Sequence, residues 1–182
     1  MKIAIFGNGK MGKKITQIAL KKGHNIACVT NSKNPPNSTS MNHADVAIEF
    51  STPNSAFENI KYAIEQGIPV IAGTTGWLDK KEEINKLCVQ NNGAFLYASN
   101  FSIGVNMFFI INEKIAEIMK TKNFHTTLHE VHHKEKIDSP SGTAITIAQK
   151  LESILSKKIN IFSERINDNV GTHLIKYTSK FD

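Results

Sequence analysis

The chain has 182 residues, 40% of them apolar, enough for one to two small domains with a real core. Its net charge is +6, but the lysines fall in scattered pairs without interleaved aromatics, which argues against a nucleic-acid stripe and for solvated helix faces. No apolar run approaches the roughly 18 residues of a membrane span, the start lacks a signal-peptide layout, and Cys28 and Cys88 lie in apolar stretches without a CxxC spacing, so the expectation is a cytoplasmic protein with reduced thiols and neither membrane nor nucleic-acid partner.

Residues 1–6 read as a short apolar strand ending at glycine, and 13–22 as a helix with Ile15, Ile18 and Ala19 on one face and lysines opposite. A second strand spans 25–30, a loop rich in Asn, Ser and Pro covers 31–42, and a third strand follows at 46–50. Thr52 and Pro53 supply an N-cap and a first-turn proline for a helix running through Gln66. A strand at 69–72, a helix at 79–90 and a strand at 94–98 close the series. Strands alternating with helices of this length imply an α/β, Rossmann-like, doubly wound parallel sheet, with ligands beyond the strands' carboxyl ends. After Asn100 the pattern changes: a helix at 104–120, a strand at 124–132, a polar loop, a helix at 143–155, and strands at 159–166 and 172–178. The expected division is a dinucleotide-binding domain over 1–101 and a smaller α+β domain over 102–182.

Gly7-Asn8-Gly9-Lys10-Met11-Gly12 matches G-x-G-x-x-G between a strand and a helix. Small residues there let the backbone approach a pyrophosphate, and the helix N-terminus offers unpaired N–H groups and the positive end of its dipole. The acid that normally holds the ribose 2′-hydroxyl of NAD, about 20 residues on, is missing from Thr30-Asn31-Ser32-Lys33. This tilts the reading towards NADP, with Ser32 and Lys33 as candidate 2′-phosphate partners. Gly73-Thr74-Thr75-Gly76 and Ser99-Asn100-Phe101-Ser102-Ile103-Gly104 follow later strands and are expected on the same rim, either as nicotinamide contacts or as plain turns and caps.

His129-Glu130-Val131-His132-His133 satisfies H-E-x-x-H, a zinc hydrolase signature that requires both histidines on one helical face. The surrounding residues read as a strand, which would separate His129 and His133 by about 13 Å at ~3.3 Å per residue. No metal is therefore expected. The loop that follows has anion-binding chemistry instead. Ser141, Gly142 and Thr143 lead into a helix and offer N–H and hydroxyl donors, Lys136 adds a full positive charge, and imidazole can supply a proton near neutral pH.

The run Glu130-Val131-His132-His133-Lys134-Glu135-Lys136-Ile137-Asp138-Ser139-Pro140-Ser141-Gly142-Thr143-Ala144 resembles the E-x-H-H-x-x-K-x-D-x-P-S-G-T-A signature of the dihydrodipicolinate (4-hydroxy-tetrahydrodipicolinate) reductase family. Glu49-Phe50-Ser51-Thr52-Pro53, the two rim loops and Gly171-Thr172-His173 extend the likeness along nearly the whole chain. The resemblance implies that NADH or NADPH delivers hydride to a cyclic imine-containing dicarboxylate, giving tetrahydrodipicolinate for diaminopimelate and lysine synthesis. It implies His132 as proton donor and Lys136 as the group that stabilises developing charge. His133, Lys136, Ser141, Gly142, Thr143 and Thr75 are implied to hold the substrate carboxylates. Gly7, Gly9, Lys10, Met11, Gly12, Phe50, Ser51, Gly73, Thr75, Ser99, Asn100 and Phe101 are implied to line the cofactor.

Family members assemble as tetramers through the second domain's sheet, so a substrate-binding and oligomerisation role is expected for 102–182. They also continue with a further strand and helix, so this domain reads as C-terminally incomplete. The alternatives are a catalytically impaired dinucleotide-binding fragment and, more distantly, the zinc hydrolase.

Overall fold

The computed structural model describes residues 1–41 and 43–181. Two compact units make up the chain, Met1–Ala98 and Ser99–Asp182. The boundary lies three residues before the one expected after residue 101, because Ser99 and Asn100 are tied to the second unit. The Ser99 hydroxyl meets that of Thr146 at 2.8 Å, and Asn100 Nδ2 donates to Thr143 Oγ1 at 3.2 Å.

The first unit is a five-stranded sheet of β1 (Lys2–Phe6), β2 (Asn25–Thr30), β3 (Val46–Glu49), β4 (Val70–Ala72) and β5 (Phe95–Tyr97), in the order β2-β1-β3-β4-β5 with every pair parallel. Alternation along β1 builds two cores: Ala4 and Phe6 pack with α2 (Pro53–Glu65) and with Ile84 of α3 (Lys81–Gln90), whereas Ile3 and Ile5 pack with Ala19 and Ile15 of α1 (Lys10–Lys21). Helices on both faces make the sheet doubly wound, as expected.

Three local departures have simple causes. Helix α1 begins at Lys10 rather than 13, since the second glycine of the fingerprint is its N-cap. Thr52 occupies the N-cap of α2, but its hydroxyl lies 3.0 Å from that of Ser55 instead of capping the backbone. Leu78–Lys80 forms a short 3-10 turn ahead of α3.

The second unit is a three-stranded mixed sheet. Its central β6 (His125–His132) pairs parallel with β7 (Asn160–Arg165) and antiparallel with β8 (Thr172–Thr178). Helices α4 (Ile103–Met119) and α5 (Gly142–Leu155) cover one face through Phe109, Ala116, Leu128, Ile147 and Leu151. On the opposite face His129 stacks on Phe162, with ring centroids 4.7 Å apart, and stands in register with Leu174, while Phe162 and Leu174 are about half exposed.

Candidate active site

The strand order reverses between β1 and β3, and ligands of open parallel sheets bind at such a switch point. A crevice of about 760 Å³ opens there, lined by Gly7, Asn8, Gly9, Thr30–Lys33, Phe50, Ser51 and neighbouring residues of α2. Gly7 is required by the protein itself: it has φ +109°, and a Cβ would stand 2.0 Å from the Phe50 carbonyl oxygen. A Cβ on Gly12 would stand 1.8 Å from Gly7 O, so this glycine lets α1 pack against the turn. Gly9 differs, because nothing lies within 4 Å of the Cβ it lacks. Space above a helix N-terminus fits a pyrophosphate, so the donor set suits a nicotinamide dinucleotide.

Of the residues expected at the cofactor, Gly7, Gly9, Phe50 and Ser51 line this crevice, together with Ser32 and Lys33. Lys10 and Met11 start α1, with Met11 exposed, and Gly12 is buried beneath them. Gly73 stands against Phe50, and its missing Cβ would fall 2.2 Å from the ring. Thr75 is half-buried beside it on the loop after β4. Ser99, Asn100 and Phe101 belong to the other unit and lead into α4.

Beneath the crevice lies Glu49, which sequence reasoning left without a role. Its carboxylate is fully buried and accepts from Ser51 N–H at 3.0 Å and from the Ser51 hydroxyl. Ser51 N–H also reaches Thr74 Oγ1 at 2.8 Å, which joins the ends of β3 and β4. Burial pushes the Glu49 carboxyl above its ordinary range, against the opposing pull of these hydrogen bonds.

In the second unit, strand parity puts Glu130 and His132 on the helix-covered face and His129 on the other. The first four residues of the H-E-x-x-H string are thus extended strand, and its first histidine faces away from Glu130 and His132. The loop after β6 carries His133 and Lys136 and leads to the N-cap of α5, Ser141, whose Oγ accepts from Ala144 N–H at 3.1 Å. Lys136 Nζ donates to Asp138 Oδ1 at 2.7 Å, and Gly142 N–H to Asp138 Oδ2 at 3.3 Å. Burial would raise the Asp138 carboxyl, but Lys136 and these main-chain donors hold it below its ordinary value. Ser141 N–H is likewise taken, donating to Glu130 Oε1 at 3.0 Å. Expected as carboxylate grips, the Lys136 ammonium and the Ser141 and Gly142 N–H groups each already hold a carboxylate of the chain. Thr143 Oγ1 accepts from Asn100.

Glu130 is the hub that sequence reasoning quoted without a role. Its Oε1 also accepts from Arg165 Nη2 at 3.2 Å, while Oε2 faces His132 Nδ1 at 3.3 Å and His173 Nε2 at 3.6 Å. Burial alone would raise this carboxyl, yet hydrogen bonds from Ser141, Ser163 and Arg165 bring it down to about 2, so it is a fixed anion. His132 is lowered, first by burial, with Glu130 pulling upward and Lys136 and Arg165 pushing down. His173 is lowered by burial and by His132. The ligand atoms of Glu130, His132 and His173 lie within 4.8 Å of one another, a spacing an ion could span. Arg165 already neutralises this carboxylate and Lys136 adds a second cation, so the cluster is electrostatically suited to holding protons.

The chain matches two family models end to end: dihydrodipicolinate reductase, N-terminus, over residues 1–101, and dihydrodipicolinate reductase, C-terminus, over residues 104–182. The chain belongs to the dihydrodipicolinate reductase family. The 4-hydroxy-tetrahydrodipicolinate reductase of Christiangramia forsetii is 39% identical in an alignment covering all of this chain and 82% of that protein. Enzymes of the same name from Alkaliphilus metalliredigens and Methanoculleus marisnigri are each 36% identical. Those alignments cover 86% and 72% of this chain but only 65% and 53% of those proteins. In structure, the dipicolinate-bound dihydrodipicolinate reductase from Paenisporosarcina sp. TG-14 shares the fold with a TM-score of 0.69 at 20% identity, covering all of this chain and 84% of that one. Like other members, this family reductase is an NAD(P)H-dependent oxidoreductase with a Rossmann-like cofactor domain. Among the described residues, no helix is long and apolar enough to cross a membrane.

Proposed function

We propose that the chain reduces the cyclic dicarboxylate 4-hydroxy-tetrahydrodipicolinate to tetrahydrodipicolinate with NADH or NADPH, in diaminopimelate and lysine synthesis. The observation that carries this reading is the gathering, in one small unit, of a histidine, a lysine and a helix N-terminus around a common loop, each already engaged with a carboxylate. A dianionic substrate needs such donors fixed in advance.

The bound dinucleotide supplies a hydride, and the crevice at Gly7, Gly9 and Phe50 is where this chain would hold it. His132 supplies the matching proton from Nε2. Lys136 stabilises the charge that develops on the substrate and exchanges Asp138 for a substrate carboxylate. Ser141, Gly142 and Thr143, with His133 and Thr75, complete carboxylate binding. Ser32 and Lys33 line the crevice where an acid would otherwise hold the ribose, a placement that accommodates a 2′-phosphate. The cofactor group extends to Lys10, Met11, Gly12, Ser51, Gly73, Ser99, Asn100 and Phe101, and the domain division at residue 101 follows the same reading.

The half-exposed Phe162 and Leu174 beside His129 form an apolar face that supports a homotetramer built through this sheet. Small metabolites as reactants fit a cytoplasmic enzyme. The test is oxidation of NAD(P)H, followed by absorbance, by the purified chain supplied with freshly made product of the upstream synthase and with a chelator present. Oxidation that depends on that product and survives the chelator is expected; no oxidation at any enzyme concentration overturns the reading.

A further inference from the structure

We propose that Glu130, His173 and Gly171 are positioning residues that hold His132 in one tautomer with its proton-releasing edge clear. The inference rests on the reading of His132 as the proton donor.

Two buried polar atoms carry it. Glu130 Oε2 and His132 Nδ1 are both sealed from solvent and form no aligned hydrogen bond, yet they stand 3.3 Å apart, within ion-pair distance. A carboxylate this close in a buried site draws the ring's proton to Nδ1 by charge, whereas a lone pair on Nδ1 would face a like-signed oxygen. Glu130 cannot turn away. Its other oxygen is pinned by Ser141 N–H at 3.0 Å and Arg165 Nη2 at 3.2 Å, from the cap of α5 and from β7.

His173, arriving on β8, closes the arrangement. Its Nε2 lies 3.3 Å from Ser141 Oγ, which can accept its N–H, and 3.6 Å from Glu130 Oε2, a charge contact. Its ring meets that of His132 edge-on, with centroids 5.1 Å apart. The free edge of His132 is then defined by Gly171. This residue has φ +114°, and a Cβ on it would stand 3.1 Å from both Cδ2 and Nε2 of His132. Any side chain there would crowd the atom that must give up the proton.

The chemistry follows from these placements. As imidazolium, His132 carries N–H on both nitrogens. The Nε2–H bond breaks, the proton passes to the substrate as hydride reduces it, and the electron pair stays on Nε2. The neutral ring that remains keeps its proton on Nδ1, where the nearby Glu130 carboxylate stabilises it by charge. The charged groups facing the ring are Glu130 on β6, His173 on β8, Arg165 on β7, and Lys136 and Asp138 on the loop. Among these, Glu130 is the nearest anion and favours the charged ring.

The test combines Glu130→Gln and His132→Gln with a measurement on the unaltered protein. Glutamine keeps an oxygen for Ser141 and Arg165 and removes the charge facing Nδ1. Turnover should therefore fall on the order of 10–100-fold, part of what a positioned acid contributes, with substrate KM within about threefold. The alkaline limb of the pH profile should move to lower pH. In the unaltered protein, imidazole 15N shifts, assigned by the signals that His132→Gln removes, should show the neutral His132 ring protonated on Nδ1; this holds whether or not the Glu130 variant folds. A neutral ring protonated on Nε2, or a Glu130→Gln enzyme with unchanged turnover and pH limb, overturns the positioning role while the donor reading stands. Full turnover by His132→Gln overturns the donor reading itself.

Discussion

Gly9→Ala separates the ligand's need for glycine from the protein's. At Gly9 the backbone is extended, with φ −78° and ψ −167°, which alanine adopts freely, and no atom lies within 4 Å of the added methyl. Alanine is a poorer N-cap than glycine by roughly 0.5–1 kcal/mol. It also restricts the unfolded chain, which returns about 0.4–1 kcal/mol. The two nearly cancel, so the denaturant midpoint should move by no more than about 0.5 kcal/mol. A pyrophosphate drawn down onto the start of α1 would meet the methyl directly, and overpacking of this kind costs about 1–3 kcal/mol, or roughly 5- to 150-fold in dissociation constant. Titration of NADH and NADPH by calorimetry, with urea unfolding of the same samples, measures both quantities. Gly7→Ala is the contrast: its methyl would collide with Phe50 O at 2.0 Å on a positive φ, so stability and binding should fall together. Unchanged dinucleotide affinity in Gly9→Ala would refute the placement of the pyrophosphate at this helix.

Lys136→Ala should remove turnover while the unfolding midpoint stays within about 1 kcal/mol, since its pairing with Asp138 is partly exposed and such pairs contribute little; retained kcat would take Lys136 out of the site. Because Glu130 sits at about 2 against an ordinary 4.5, the stability it supplies is fully present above pH 4.5 and is lost as pH falls from there towards 2. Acid unfolding of the second unit, followed by near-UV dichroism, should track that window in the parent protein and be flatter in Glu130→Gln. Glu49 has the opposite sign. Its carboxyl is raised, so its favourable neutral form is present below 4.5 and is lost as pH rises through the raised value. Glu49→Gln should accordingly gain in melting temperature relative to the parent as the pH is raised, and parallel curves would count against a buried carboxylate that resists ionisation.

The layers of the fold were legible because each depends on a local pattern. The strand at 25–30 and the strand at 172–178 coincide with β2 and β8, and the alternation of strands and helices leads directly to a parallel sheet. Boundaries drifted where backbone geometry rather than side-chain periodicity decides them. Helix α1 starts at Lys10 because Gly9 caps it, although the apolar stripe begins only at Ile15. In the crevice, Gly7, Gly9 and Phe50 were reachable through the fingerprint and the family likeness, whereas Glu49 ends the central strand and is held by Ser51, Thr74 and Asn59, a link made by spatial neighbours that no spacing encodes.

The same distinction explains the proposed catalytic unit. Residues 129–133 contain three histidines, and a linear motif treats them as neighbours. The pleat separates them: Glu130 and His132, two apart, face the helices together, while His129 is spent on Phe162 across the sheet. A carboxylate at i and an imidazole at i+2 on a buried strand face are therefore a legible signal. What the spacing could not supply was Arg165 and His173, which reach Glu130 from β7 and β8 and exist as partners only once three strands are paired. With Arg165 the carboxylate becomes a permanent anion, and with His173 and Gly171 the ring beside it has one side held and the other open. The environment of His132 thus distinguishes its two nitrogens, the property a directional proton donor needs.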